Sequence, residues 1–289
     1  MGWMIRHGVD GVNRQIKEFV KGALARLGLL DYCIFIWEDR AKRFSISRLS
    51  CNLRRRIQGA PDGLPIPPGY LLWLVVGSSD VQAFLDSGAI HAHELIQRTL
   101  ARNSLTLEHF DAILDFGCGC GRIMRYWKNL EHTQLYGSDY NPILVRWCRR
   151  HLTFAQFKTN HIAPPLGFPA GQFDFVYARS VFTHLAEDLQ FAWMDELWRV
   201  LKPGGYLLFT VSGDQFLNSL TSSEAELYRA GQLVVRAGKM TGKNYCAVYH
   251  PSQYLRQALI KEKYDVVDFV PGDAVRRYCL QDTYLLRRL

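Results

Sequence analysis

The sequence predicts a doubly wound α/β domain over residues 110–289, built on a seven-stranded, mostly parallel sheet and preceded by a helical, basic extension over residues 1–109. Three observations carry that prediction. From Ala112 onward, strand-length apolar runs alternate with helix-length amphipathic ones, the rhythm of a sheet covered on both faces. A turn with three glycines follows the first of those runs. The join Leu201-Lys-Pro-Gly-Gly-Tyr206 has the composition of a helix end running into a type II turn and a new strand.

Taken in order, the strands are expected at 112–116, 134–138, 154–158, 173–179, 205–211, 264–270 and 282–287. Helices are expected between them near 121–130, 142–151, 186–200 and 251–261, where Trp193 and Trp198 belong to a packing face. Residues 213–250 depart from the rhythm and read as an insertion forming a wall on the substrate side, because a connection that long needs a function or structure of its own. Ahead of residue 110, Val12 to Leu30 has the spacing of an amphipathic helix. The stretch Gly59 to Gly69, rich in proline and glycine, marks a boundary. Tyr70 to Val76 reads as an extended apolar run, and Ser78 or Ser79 as the cap of a helix through Leu85. Gly88 is expected to separate that helix from another at Ala89 to Ala101.

Composition narrows the function classes. Apolar residues make up 48 % and charged residues 21 %, enough for a sizeable core. No apolar run approaches the ~20 residues of a membrane span, and the first ten residues lack a signal-like stretch, so a cytoplasmic location is expected. Seven scattered cysteines suit neither a disulfide framework nor a zinc site, and no metal is expected. The net charge is +8, and residues 1–63 hold twelve Lys/Arg against six Asp/Glu, with Arg40, Lys42, Arg43, Arg48 and Arg54 to Arg56 prominent. That excess is either a solvated face or an attraction to an acidic partner such as a phosphorylated substrate or lipid headgroups. No nucleic-acid-binding signature accompanies it, so nucleic acid is not an expected partner. The oligomeric state is not legible in the sequence.

The chemistry concentrates in Ala112-Ile-Leu-Asp-Phe-Gly-Cys-Gly-Cys-Gly-Arg122. Glycines at 117, 119 and 121 let backbone amides come close to a ligand. The spacing is GxGxG, not the GxGxxG of dinucleotide sites. Asp115 stands just before the turn, where a carboxylate repels a pyrophosphate and suits an ammonium group. Eighteen residues after Gly121, Asp139 closes the second strand, where an acid can accept both hydroxyls of a ribose. Together they favour an adenosyl ligand without phosphates.

These segments, with Phe173-Asp-Phe-Val-Tyr-Ala-Arg-Ser-Val-Phe-Thr-His-Leu185 and Leu201-Lys-Pro-Gly-Gly205, resemble the successive motifs of class I S-adenosylmethionine-dependent methyltransferases. The resemblance implies the Rossmann-like methyltransferase fold with strand order 3-2-1-4-5-7-6, the last strand antiparallel, and S-adenosyl-L-methionine as cofactor. It implies that Asp115, Gly117, Cys118 and Gly119 face the methionine part, that Asp139 holds the ribose, that Tyr140 flanks the adenosine, and that Asn160 and His161 stand at the adenine. His184 is then the candidate general base and Arg179 a candidate ligand for a substrate carboxylate or phosphate, with Trp73, His91 and His93 further candidates on the substrate side. The Asn/Asp-Pro-Pro-Tyr/Phe segment of amino-methylating enzymes is missing after the fourth strand. The expected reaction is methyl transfer to a small-molecule acceptor at oxygen. The alternatives are a lipid-linked glycan or other macromolecular acceptor, and a non-catalytic cofactor-binding partner module.

Overall fold

The computed structural model describes residues 30–41, 45–242, 246–272 and 280–289. The helix expected at 12–30 and the basic residues Lys42 and Arg43 lie outside them. The segment opens with α1 (Leu30–Phe35), which continues as a wider π-type turn through Ile36–Ala41, followed by α2 (Ile46–Gln58). Next come α3 (Gly69–Val76), α4 (Val81–Ile90), a π-type stretch His91–Gln97 and α5 (Arg98–Arg102).

The sheet follows: β1 (Ala112–Phe116), β2 (Gln134–Asp139), α6 (Pro142–His151), β3 (Gln156–Thr159), β4 (Phe173–Ala178), α7 (Glu187–Val200) and β5 (Leu201–Val211). The insertion carries α8 (Ser222–Arg229) and a two-stranded ribbon, β6 (Val234–Arg236) with β7 (Ala247–Tyr249). α9 (Ser252–Tyr254), β8 (Tyr264–Val270) and β9 (Asp282–Arg288) complete the order. The main sheet runs β3-β2-β1-β4-β5-β9-β8. With the ribbon's two strands left out of the count, that is the order 3-2-1-4-5-7-6. β1 to β5 are parallel neighbours, and β9 is antiparallel to both β5 and β8.

Alternation along each strand divides the core in two. Ile113, Phe175, Tyr177 and Leu208 face one side, against Leu72, Phe84, Ile96 and Trp127. Leu114, Val176, Leu207 and Phe209 face the other, against Trp193, Leu197 and Val200 of α7. Residues from the 60–110 region therefore supply much of the helical layer on the first face.

Several expected elements take another form. Tyr70 to Val76 is helical, not extended: Gly69-Tyr-Leu-Leu-Trp-Leu-Val-Val76 is apolar all round, so neither period shows, and burial decides. The helix after it is capped by Asp80, whose carboxylate accepts the Ala83 amide at 3.1 Å, and not by Ser78 or Ser79. Gly88 does not break it. A Cβ there would lie 2.5 Å from the Arg122 carbonyl, so the glycine permits close contact between α4 and the segment after β1.

That segment, expected as a helix at 121–130, is a chain of turns around a short 3₁₀ helix, Met124–Trp127. Its three-residue period sets Met124 and Trp127 above one another, both buried. The helix expected at 251–261 starts as α9 but widens to a π-type turn over Leu255–Ile260. β5 starts at Leu201 rather than 205. Leu201 already pairs with Phe173, and the register slips before Phe175 pairs with Tyr206, so the turn residues bulge out.

Candidate active site

β1 pairs with β2 on one side and β4 on the other, so the chain leaves β1 in a crevice where the sheet order reverses. The glycine turn fills it. The amides of Gly117 and Cys118 both donate to the Ser138 carbonyl, at 2.8 and 3.0 Å. The Gly119 amide donates to one oxygen of Asp139 at 2.8 Å, and the Asn141 amide to the other at 2.8 Å. Gly119 has φ +56°, and a Cβ on it would sit 2.8 Å from a Val75 methyl of α3, so only glycine brings this amide to Asp139 without strain. Asp139 is thereby fixed while keeping lone pairs for further donors. Burial raises its pKa against the pull of those two amides.

A cavity of about 390 Å³ opens over this turn, within the range of small-molecule sites. Asp115, Gly117, Cys118, Gly119, Asp139, Tyr140, Asn160, His161, Arg179 and His184 all line it. Asp115, at the end of β1, is buried, and burial lifts its pKa to about 7 even though a Tyr177 hydrogen bond and the Arg122 charge pull the other way. Tyr177 in turn accepts the indole N–H of Trp127 at 3.0 Å, which ties this carboxyl to the buried layer behind it. Asn160 shapes its own loop: its amide oxygen accepts the Ser138 hydroxyl at 2.7 Å and its amide nitrogen donates to the His161 carbonyl at 2.7 Å.

The far wall is basic. An Arg122 Nη lies 2.6 Å from His91 Nδ1, and an Arg179 Nη lies 3.0 Å from His91 Nε2. Guanidinium groups only donate, and a neutral imidazole has one acceptor nitrogen, so this trio has more donors than it can satisfy internally. Burial, and then the like charge of Arg179, lowers the Arg122 pKa to about 10. The π-type turn that begins at His91 is the kind of helix distortion often met at functional positions.

His184 is positioned from the insertion side. Its Nδ1 lies 2.6 Å from the Cys246 carbonyl, which can only accept, so Nδ1 carries the hydrogen and Nε2 keeps its lone pair. Burial lowers its pKa below 6.5, Arg179 adds to the effect, and the Cys246 contact opposes both. The His184 carbonyl accepts the Gly242 amide at 2.7 Å and the Thr241 hydroxyl at 3.3 Å, so the tip of the insertion closes over the cavity here. Between Arg179 and His184, Ser180 has φ +60°, a conformation costing of the order of 1–3 kcal/mol for a non-glycine residue. Its amide donates to Thr210 Oγ1 at 2.9 Å, and Gln281 donates to its hydroxyl at 2.8 Å, which hold it there.

Of the further candidates, Trp73 lines the cavity, His91 joins the two arginines, and His93 bonds Gln97 at 2.7 Å on an exposed helix face. Trp193 packs on Phe116 with ring centres 4.6 Å apart, yet also lines the cavity. Arg122 and Gly242 were not singled out from the sequence. Arg122 had a signal, a cation directly after the last glycine of the turn. Gly242 had none, because nothing local says which part of an insertion folds back.

A family profile described as a methyltransferase domain matches residues 114–209, the stretch that holds the glycine turn, Asp139 and His184. Residues 114–209 belong to the class I methyltransferases. Among curated relatives of this methyltransferase domain is the malonyl-[acyl-carrier protein] O-methyltransferase of Enterobacter lignolyticus, 34 % identical over 107 residues, 37 % of this chain and 41 % of that protein. The enzyme of the same name from a Paenibacillus species is 27 % identical over 169 residues, 53 % of this chain and 57 % of that protein. The chain thus spans about half the length of these relatives. A Listeria monocytogenes structure assigned to the S-adenosylmethionine-dependent methyltransferases aligns with a TM-score of 0.51 at 14 % identity, over 70 % of this chain and 99 % of that one, and shares the fold.

Proposed function

We propose that the chain moves the methyl group of S-adenosyl-L-methionine to an oxygen of a small acceptor that carries a negative charge. The observation that carries this reading is the pair of buried carboxylates, Asp115 and Asp139, bracketing the Gly117–Gly119 turn. Two carboxylates repel a pyrophosphate but receive an ammonium group and a ribose diol. Bound there, S-adenosylmethionine supplies an electrophilic methyl group on a sulfonium centre.

The chain's own residues divide the remaining work. Asp115 receives the α-ammonium group, whose positive charge offsets the burial that otherwise favours the protonated acid. Arg122 beside it receives the α-carboxylate. Asp139, held by two backbone amides, accepts the ribose hydroxyls. Tyr140, Asn160 and His161 bound the adenine end, and the amides of Gly117, Cys118 and Gly119 line the methionine end. Arg179 orients the anionic acceptor, and His184 takes its hydroxyl proton at Nε2 where the acceptor is not already ionised. A carboxylate acceptor needs only the alignment, which can supply roughly 7–11 kcal/mol of the barrier. The relatives named for malonyl-carrier O-methylation favour oxygen as the methylated atom.

Binding comes first in testing this reading. S-Adenosylhomocysteine should raise the melting temperature, by the equivalent of about 2.7 kcal/mol at a hundredfold excess over Kd, and NAD should not; the reverse result sinks it. Because Asp115 must ionise to pair with the ammonium group, affinity should fall as pH drops below about 7. His184→Gln should lower kcat by roughly 10²–10⁴ on a hydroxyl acceptor and leave S-adenosylhomocysteine affinity unchanged. Equal losses in kcat and affinity would make His184 a cofactor contact instead.

A further inference from the structure

Among the described residues, four carboxylates line the cavity over the glycine turn: Asp31, Glu38, Asp115 and Asp139. With S-adenosylmethionine bound as proposed, Asp115 meets the α-ammonium group and Asp139 the ribose diol. Two acids remain, and so does one donor group of the ligand, the 6-amino group of adenine. The loop after β3 serves that group poorly. Asn160 uses its amide on the loop itself, accepting the Ser138 hydroxyl and donating to the His161 carbonyl, both at 2.7 Å. No Asp or Glu occurs between Asn160 and Phe173.

Asp31 reaches the cavity because of how α1 packs. Asp31 and Phe35 are four residues apart, so they share one face of that helix. Phe35 is buried, its ring centre 5.5 Å from that of Tyr70 and 5.8 Å from that of Trp73, both on α3. α3 lies in turn on the glycine turn, where a Val75 methyl stands 2.8 Å from the place of a Cβ on Gly119. The face of α1 that carries Asp31 is therefore seated, through α3, against the crevice. Electrostatics set its carboxylate toward the Tyr140 end. Burial, then the charge of Asp139 and that of Asp31, raise the Tyr140 pKa to about 12. Burial and then Asp31 raise that of Tyr70 as well. Tyr140 directly follows Asp139, and a Cβ on Gly242 would meet Ile162 at 2.3 Å and the Tyr140 ring at 3.7 Å. Tyr140, Ile162 and Gly242 thus bound one end of the cavity, and Asp31 acts on that end.

We propose that Asp31 accepts the 6-amino group of the adenine, so that the segment ahead of the sheet, and not the loop after β3, selects for that group. The assignment rests on the cofactor reading. A carboxylate has lone pairs enough to take an amino N–H beside its partners within the protein. A hydrogen bond to a charged acceptor is also roughly twice as strong as one to a neutral acceptor.

The test is a cycle over one ligand group and one side chain, read as calorimetric Kd on the full chain. The two ligands are S-adenosylhomocysteine and its analogue with hydrogen in place of the 6-amino group. The parent should prefer the amino ligand by roughly 10–100-fold. Asp31→Ala should reduce that preference to below ~3-fold by weakening the amino ligand alone. Glu38→Gln should keep the parent's preference. Should Asp31→Ala fail to fold by circular dichroism, Asp31→Asn has nearly the same shape without the charge, and its preference should drop to roughly 3–10-fold. Equal weakening of both ligands by Asp31→Ala would make Asp31 a support for α1 only and overturn the proposal. So would a preference that survives the loss of Asp31, or one that vanishes in Glu38→Gln. A parent that binds both ligands equally well overturns this assignment and leaves the cofactor reading standing. A parent that binds neither overturns the cofactor reading and this assignment with it.

Discussion

Residues 60–110 and residues 112–211 meet across one face of the sheet, yet different forces hold them. The first region is fixed by apolar burial and by ion pairs, the buried one between Asp62 and Arg125 and an exposed one between Arg102 and Asp268. Arg125, buried in the turns after β1, grips Asp62 with two of its nitrogens and donates to the Leu64 carbonyl at 3.2 Å. The second region is fixed by parallel ladders, with its polar groups concentrated at the strand ends around the cavity. Under the proposed reading, stability and ligand binding are largely separate here: the helical layer braces the glycine turn from behind, and recognition falls to the carboxylates in front.

Substitutions on either side should keep those effects apart. Asp62→Ala leaves the Arg125 guanidinium buried without its carboxylate and should cost about 3–5 kcal/mol in urea unfolding. The folded fraction should still bind S-adenosylhomocysteine, and a variant of undiminished stability would break the comparison. Asp139→Ala should do the opposite. Charge-assisted hydrogen bonds of about 1.5–3 kcal/mol each disappear, so calorimetric affinity should fall at least ~10-fold, with a far smaller change in unfolding free energy than Asp62→Ala causes.

Acid should act through the insertion. His250 is buried beyond β7, and its Nε2–H donates to Gln190 Oε1 at 3.0 Å, since the Gln190 amide nitrogen already serves the Leu185 carbonyl at 2.8 Å. Burial pushes its pKa from 6.5 down to about 3. The folded value lies below the unfolded one, so stability is intact above pH 6.5 and is lost as pH falls, by about 2 kcal/mol near pH 5. His184 shifts in the same direction. His250→Gln should flatten that part of the curve in denaturant titrations; an unchanged curve would assign the acid sensitivity elsewhere. The smallest effect belongs to Asp80→Ala, which removes the α4 cap and should cost about 1 kcal/mol, with Asp80→Asn restoring most of it.

How much the sequence revealed follows the same divide. The strands were legible because each is a short apolar run between polar turns, and the site because Asp115, the three glycines and Asp139 are close in sequence as well as in space. α3 was not legible, since a helix apolar on all sides has no polar face to mark its period. Nor were the turns at 121–130, whose winding depends on partners far back in the chain: Asp62 drawing in Arg125, and Gly88 admitting the Arg122 carbonyl. The link between His91, Arg122 and Arg179 joins three distant segments, and no local pattern announces it.

The placement of β9 has a consequence in time. It lies between β5 and β8, so β5 has no partner on that edge until residues 282–288 have been synthesised. At ~5–20 residues per second, the edge stays open for roughly 4–15 s after Val211 leaves the ribosome. Throughout that interval Leu207, Phe209 and Val211 border an unpaired strand, an invitation to pair with another nascent chain. Slowing elongation downstream of β5 should therefore lower the soluble yield of this protein more than slowing it upstream.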